Sequence, residues 1–205
     1  VDILCSFYDR EGNPFESSPE YILRKAHKVF QETTGLQMET MGELEYYIIA
    51  EDEEIYPVPD QKGYHESRPF NKFTDYRVEA MRLIAQAGGM IKYGHSEVGN
   101  FTLDGKIYEQ NEIEFLPTNI EDAADQLVIA KWIMRQLAYE YGVTLTFAPK
   151  ITVGKAGSGM HVHCKFTKDG KSVMIENGEL TDVCKKAIAG YMMAGTSLPA
   201  FGNPN

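Results

Sequence analysis

Acidic residues recur two apart in segments of this sequence that are predicted to be β-strands. Glu43 and Glu45 lie in one such segment, MGELEYYIIA, and Glu112 and Glu114 lie in another, EQNEIEF. Because side chains two apart in a strand point to the same face, each pair places two carboxylates side by side. The simplest interpretation of Glu43 and Glu45 is the solvated face of an edge strand, and that of Glu112 and Glu114 is an amphipathic strand with at least one of the two acids facing water. The alternative is a carboxylate cluster that binds cations.

Histidines follow the same spacing. His95 and Glu97 are two apart in YGHSEVGN, and His161 and His163 are two apart in MHVHCKF, directly after the glycine-rich segment GKAGSG (154–159). A single histidine in a strand usually has a structural role. Two histidines at strand spacing after a flexible loop favour a ligand site instead.

Neighbouring strands would bring these acids and imidazoles to one concave face of a sheet. Two carboxylates about 4 Å apart repel each other by roughly 4 kcal/mol at an effective dielectric constant near 20. Such a cluster must take up protons or bind cations, and carboxylates with an imidazole suit Mg²⁺ or Mn²⁺. These ions act beside phosphate groups in phosphoryl transfer. The sequence has no GxxxxGKS or GxxxxGKT phosphate-binding loop, so metal ions and histidine would have to hold a phosphate.

The elements that position these residues are helices interspersed with strands and hairpins, which indicates an α+β fold with a mostly antiparallel sheet. Turn and capping residues set the predicted boundaries. We predict a helix from Ser18-Pro19 to Gly35, a strand over 41–50, a helix capped by Thr74, a hairpin of 90–101 and 106–116 around Asp104-Gly105, a long helix over about 119–141 capped by Thr118, β structure over 144–152 and 160–166, and a last helix after Thr181.

Composition limits the class of protein. The chain has 205 residues, of which 43% are apolar and 24% charged, values typical of one globular domain. Its formal net charge of -10 argues against a nucleic-acid-binding protein, which needs a basic face. No apolar run reaches the roughly 18 residues of a membrane helix, so we expect no membrane partner. Three cysteines without a CxxC motif, and a first segment unlike a signal peptide, predict a reducing compartment, the cytoplasm.

Six motifs, in order along the chain, resemble the catalytic domain of the glutamine synthetase family. They are ELEYY (43–47), HSE (95–97), QNE (110–112), AADQ (123–126), TFAPK (146–150) and GSGMHVH (157–163). The resemblance covers nearly the whole chain. It implies a mostly antiparallel sheet that forms a partial catalytic barrel flanked by helices, with residues 1–205 as part of one catalytic domain.

The resemblance also implies a reaction of nitrogen metabolism. Family members make glutamine from glutamate, ammonia and ATP by way of γ-glutamyl phosphate, and they assemble as ring-type homo-oligomers. By position, Glu45, Glu97 and Glu112 resemble the ligands of one Mg²⁺ or Mn²⁺ ion. Glu43 and His161 resemble two ligands of a second ion, which would hold the ATP phosphates.

Four residues resemble the substrate-contacting positions of the family. His163 matches a histidine near the nucleotide phosphates, and Gly157 matches a backbone contact to the amino-acid substrate. Tyr64 resembles the tyrosine near the ammonium site, although a loop aromatic that packs is an equally good interpretation. Glu97, beside that site, would favour ammonium and take up its proton.

The chain departs from the family pattern at several positions. Ala156 stands where the family usually has asparagine, and Lys92 stands where it often has glutamate. A seven-residue excess around FTLDGKI separates HSE from QNE and lengthens the hairpin. These departures leave the predicted metal ligands in place but bear on amino-acid and nucleotide specificity.

The family's N-terminal β-grasp domain and its arginine-rich downstream segment are not in the sequence. We therefore expect this polypeptide alone to bind a divalent ion weakly at most and to have no synthetase activity. The alternatives are a γ-glutamyl ligase that uses another amine, a non-catalytic member of the family, and a metal-binding or interaction module unrelated to ligases.

Overall fold

Helices and strands follow one another along the chain in the computed structural model, which describes residues 1–202. The elements are α1 (Pro19–Thr34), β1 (Gln37–Glu51), α2 (Thr74–Gln86), β2 (Ile91–Leu103), β3 (Lys106–Phe115), β4 (Thr118–Asn119), α3 (Ile120–Glu140), β5 (Thr144–Thr146), β6 (Met160–Lys168), β7 (Lys171–Ser172), β8 (Ile175–Glu176), β9 (Glu179–Leu180), α4 (Asp182–Met193) and α5 (Pro199–Gly202).

One antiparallel sheet organises the fold. Its strands lie in the order β2-β3-β1-β6-β7, with β4 and β5 also paired to β1, and it forms a half-barrel flanked by helices. The short strands β8 and β9 form a separate hairpin. The predicted α+β class and the mostly antiparallel sheet are therefore confirmed. Within residues 1–202, no helix is both long and apolar enough to cross a membrane.

The hydrophobic core lies between one face of this sheet and the helices α2 and α3. Alternate residues of β1, Leu44, Tyr46 and Ile48, point to this face because strand side chains alternate between faces. They pack with Ile113 and Phe115 of β3. The helices complete the core with Tyr76, Ala80, Ile84, Ala130, Met134, Leu137 and Ala138. Glu43 and Glu45 of β1 and Glu112 and Glu114 of β3 consequently lie on the opposite face.

The predicted hairpin is confirmed, and so is its turn. Asp104 and Gly105 both have positive φ, 52° and 75°, as a two-residue turn between twisted strands requires. The first helix also has the predicted bounds, and it ends at Gly35 with φ 67°. The last helix, α4, follows Thr181 as predicted, and the Thr181 side chain caps it by accepting a hydrogen bond from the Cys184 N–H.

Several predicted boundaries were wrong because local sequence does not determine which polar group reaches a helix end. Asn119, not Thr118, caps α3 and accepts from two backbone N–H groups. Thr74 is the first residue of α2 rather than its cap. Ser18 precedes α1, but its hydroxyl makes no capping bond. Of the β structure predicted over 144–152, only β5 forms.

The α3 cap generates a stability prediction. We expect Asn119→Ala to lower the free energy of unfolding by about 1 kcal/mol, because two backbone N–H groups lose their acceptor. Thr118→Ala is the matched control and should change it by less than about 0.5 kcal/mol. Urea unfolding followed by circular dichroism measures both. A larger loss for Thr118→Ala would contradict the assignment of the cap.

Candidate active site

The acids of β1 and β3 face each other directly across the strand pair. Glu43 lies opposite Glu114, and Glu45 lies opposite Glu112. Glu112 and Glu114 are each only 5% exposed, because β3 lies between β1 and β2 in the sheet. The interpretation of EQNEIEF as an amphipathic strand with at least one of these acids facing water is therefore wrong. Like charges directly opposite each other destabilise a sheet, so this arrangement needs compensation.

Imidazoles from the neighbouring strands contact these carboxylates. In β6, His161 lies opposite Glu43, and its Nδ1 is 3.1 Å from Glu43 Oε2. His163 Nε2 lies 2.8 Å from the other oxygen of Glu43. In β2, His95 lies opposite Glu112, with 2.9 Å between His95 Nε2 and Glu112 Oε2. Four adjacent strands thus contribute to one polar face.

Two groups of side chains on this face have the spacing that a metal ion requires. Ligand atoms of Glu43, Glu112 and His161 all lie within 4.8 Å of one another, and so do those of His95, Glu112 and Glu114. Glu112 belongs to both groups. Two carboxylates and one imidazole form a donor set that fits Mg²⁺ or Mn²⁺.

Glu45 and Glu97 share the face but belong to neither group. Glu45 Oε2 accepts hydrogen bonds from the Gly159 N–H at 2.9 Å and from the Gln110 side-chain amide at 3.0 Å. Glu97 accepts from the Val98 N–H at 2.9 Å, and its Oε1 lies 3.7 Å from His95 Nδ1. Both carboxylates are therefore oriented by backbone N–H groups.

The charge on this face acts most strongly on one carboxyl group. Burial raises the pKa of Glu112 to about 8, and the negative charges of Glu97, Glu45, Glu43 and Glu114 add to the effect. Without a bound cation, the Glu112 carboxyl is therefore substantially protonated at neutral pH.

Glu114 shows the opposite shift. Burial opposes ionisation, but hydrogen bonds from Lys92 and Tyr93 outweigh it and hold the pKa of Glu114 below its usual value. The Lys92 Nζ lies 2.7 Å from Glu114 Oε2. Glu114 is therefore ionised and already paired with a cation.

Tyr64 and Gly157 lie at the rim of this face. Tyr64 is 59% exposed, and the edge of its ring lies against His95 with 5.6 Å between centroids. Gly157 has no room for a side chain, because a Cβ there would lie 2.5 Å from the Pro149 carbonyl oxygen. The Gly157 carbonyl accepts a hydrogen bond from the Gln110 amide at 2.8 Å.

Gln110, which was not among the predicted site residues, connects the parts of the site. Its buried amide donates to Glu45, to the Gly157 carbonyl and to the Ser158 hydroxyl, at 3.0, 2.8 and 3.2 Å. Its oxygen accepts from the Gly99 N–H. The sequence feature that could have identified Gln110 is its position two residues before Glu112, which places it on the same strand face.

The raised pKa of Glu112 predicts how stability depends on pH. The pKa of Glu112 is about 8 in the folded protein and near 4.5 in the unfolded chain, so the folded state binds the proton more tightly. The contribution of Glu112 protonation to the free energy of unfolding is complete below about pH 4.5. It declines by at most ~1.4 kcal/mol per pH unit above this value and is lost as pH rises through 8. With a metal chelator present, Glu112→Gln should flatten this decline in the free energy of unfolding. Urea unfolding at several pH values measures the effect. Glu51→Gln, at the exposed end of β1, is the control and should retain the decline.

Comparison with known proteins identifies the family of the chain. The sequence profile described as "Glutamine synthetase, catalytic domain" matches residues 16–205. A glutamine synthetase of Methanosarcina mazei is 31% identical over 98% of this chain and 44% of its own length. One of Clostridium saccharobutylicum is 28% identical over 98% of this chain and 45% of its own. The chain thus spans less than half the length of these relatives.

Solved structures share the fold at lower identity. A Plasmodium falciparum glutamine synthetase superposes with a TM-score of 0.86 at 20% identity, covering 98% of this chain and 44% of that one. A protein named GmaS, in complex with ADP, superposes with a TM-score of 0.79 at 19% identity, covering 95% of this chain and 45% of that one. The profile match over most of the chain decides the family: this chain belongs to the glutamine synthetase family and corresponds to part of its catalytic domain.

Proposed function

We propose that the chain is part of an ATP-dependent carbon–nitrogen ligase that joins ammonia to glutamate through γ-glutamyl phosphate. The observation that carries this proposal is the convergence of carboxylates and imidazoles from β2, β3, β1 and β6 on one sheet face. An acidic face of this kind can accept ATP only together with cations, since phosphate and carboxylate charges repel each other. Family membership supports a ligase.

We propose Glu45, Glu97 and Glu112 as ligands of one divalent ion, and Glu43 and His161 as ligands of a second. Bound Mg²⁺ or Mn²⁺ would neutralise charge on the transferring phosphoryl group and the substrate carboxylate. The Glu112 carboxyl, with its raised pKa, must lose a proton before it becomes a ligand. Metal binding should therefore weaken as pH falls.

Side chains of this face then act on the three substrates, glutamate, ATP and ammonia. The glutamate γ-carboxylate attacks the ATP γ-phosphorus, ADP leaves, and ammonia displaces phosphate from the γ-carbonyl carbon. In our proposal Glu97 accepts the proton that ammonium must lose before attack, and the exposed Tyr64 lines the ammonium site. His163, 2.8 Å from Glu43, would contact the nucleotide phosphates. Gly157 would contact the amino-acid substrate, from a loop held by Gln110.

Metal binding tests the proposed ligand set. We expect Glu97→Gln and Glu112→Gln to weaken Mn²⁺ binding by tenfold or more, because even residues that only orient ligands contribute roughly 10- to 100-fold. Glu114→Gln is the matched control on the same strand face and should have a much smaller effect, since Glu114 is paired with Lys92. A Mn²⁺ titration measures all three. Equal effects would reject the assignment of ligands.

A coupled phosphate-release assay with glutamate, ammonia and ATP tests the reaction. We expect turnover from a protein that contains this chain together with the rest of its relatives' length, and none above background from the 205-residue chain. The Glu97→Gln variant of the longer protein should lose turnover. Absence of glutamine from an active, phosphate-releasing preparation would contradict the proposal.

A second candidate keeps the phosphorylation step but uses another amine. Ala156, the departure from the family pattern, has both backbone groups engaged: its N–H donates to Gln61 at 2.6 Å, and its carbonyl accepts from Tyr47 at 2.8 Å. The lengthened hairpin also reaches this loop, with the Lys155 ammonium 5.6 Å from the Phe101 ring centroid. An amine panel decides, and a clear preference for ammonia removes this candidate.

We further propose a cytoplasmic homo-oligomer for the whole protein.

A further inference from the structure

Lys92 places a fixed positive charge on the polar face of the sheet. Its Nζ lies 2.7 Å from Glu114 Oε2 and 5.0 Å from the centroid of the Tyr93 ring. Glu114 is buried, whereas the Lys92 side chain is 41% exposed. A buried carboxylate is stable only with a partner, so this pair is integral to the site.

A β-bulge directs the Lys92 side chain to this face. Ile91 pairs with Phe115 and Tyr93 pairs with Glu114, so Lys92 is the extra residue between two successive pairs. Without the bulge, Lys92 and Tyr93 would point to opposite faces. With it, both side chains reach Glu114, since bulges re-aim side chains.

The carboxylate that Lys92 contacts belongs to a group with metal-binding spacing. Glu114, His95 and Glu112 have ligand atoms within 4.8 Å of one another, and all three residues are buried. This group is adjacent to the one formed by Glu43, Glu112 and His161. The Lys92 ammonium is paired with one member of this group, Glu114.

We propose that Lys92 determines how many divalent ions the site accepts, because its ammonium takes the position that an additional ion would otherwise occupy on His95, Glu112 and Glu114. The inference rests on the proposed function, since it concerns the same cation-binding face. The ammonium on Glu114 disfavours a divalent ion on the same carboxylate, because the two positive charges repel each other beside a buried group. Divalent ions are therefore confined to the remaining ligands, around Glu43, Glu45, Glu97 and His161 with Glu112.

Counting bound Mn²⁺ tests this inference directly. The 205-residue chain is titrated with Mn²⁺ alone to saturation, and free Mn²⁺ is measured by its electron paramagnetic resonance signal. We expect Lys92→Met, which keeps the length of the side chain and removes the charge, to bind one more Mn²⁺ per chain than the unmodified protein. Lys92→Arg, which keeps the charge, should bind the same number as the unmodified protein.

A double variant identifies the position of the added ion. Lys92→Met combined with Glu114→Gln should return to the unmodified count, because the new site needs the Glu114 carboxylate. Circular dichroism checks folding, and Lys92→Gln replaces Lys92→Met if the latter does not fold. An unchanged count in the neutral Lys92 variant overturns the inference, and so does an added ion that persists in the double variant.

The experiments distinguish a failure of the inference on Lys92 from a failure of the proposed function. If the unmodified chain binds Mn²⁺ and the longer protein forms glutamine, but removal of the Lys92 charge adds no ion, only the inference on Lys92 is wrong. If removal of the charge adds an ion but no γ-glutamyl product forms, the proposed reaction is wrong and the role of Lys92 stands.

Discussion

The arrangement of this protein depends on like charges that face each other across two central strands. Glu43 lies opposite Glu114 and Glu45 lies opposite Glu112, at a depth where the β3 carboxylates have little contact with water. A sheet tolerates this only if other interactions hold the strands in register. The opposite face supplies them, since α2 and α3 pack on the apolar residues of the same two strands.

Each carboxylate is compensated in a different way. Two histidines of β6 contact Glu43, a lysine on a bulge pairs with Glu114, and a backbone N–H with a buried amide holds Glu45. Glu112 has the weakest compensation, a single imidazole, and the pKa of this group is raised. Burial and the neighbouring negative charges are therefore least offset at Glu112, and this is where our proposal places a divalent cation.

The same residues that orient the acids also order the glycine-rich loop. Gln110 donates both to Glu45 and to the Gly157 carbonyl, and the Tyr47 hydroxyl donates to the Ala156 carbonyl. The Gly159 N–H in turn donates to Glu45. The carboxylate face and the loop beside it are thus one hydrogen-bonded unit, so a change in either alters the geometry of the other.

The sequence by itself determined the two-residue spacing of the acids, the hairpin around Asp104-Gly105 and the motifs that indicate the family, because all of these are local patterns. It did not reveal that β3 is an interior strand, that a bulge turns Lys92 toward Glu114, or that Asn119 rather than Thr118 caps α3. Periodicity states which side chains share a face. Only the packing of distant segments decides which strands are neighbours, in which register they pair, and therefore which charges are buried together.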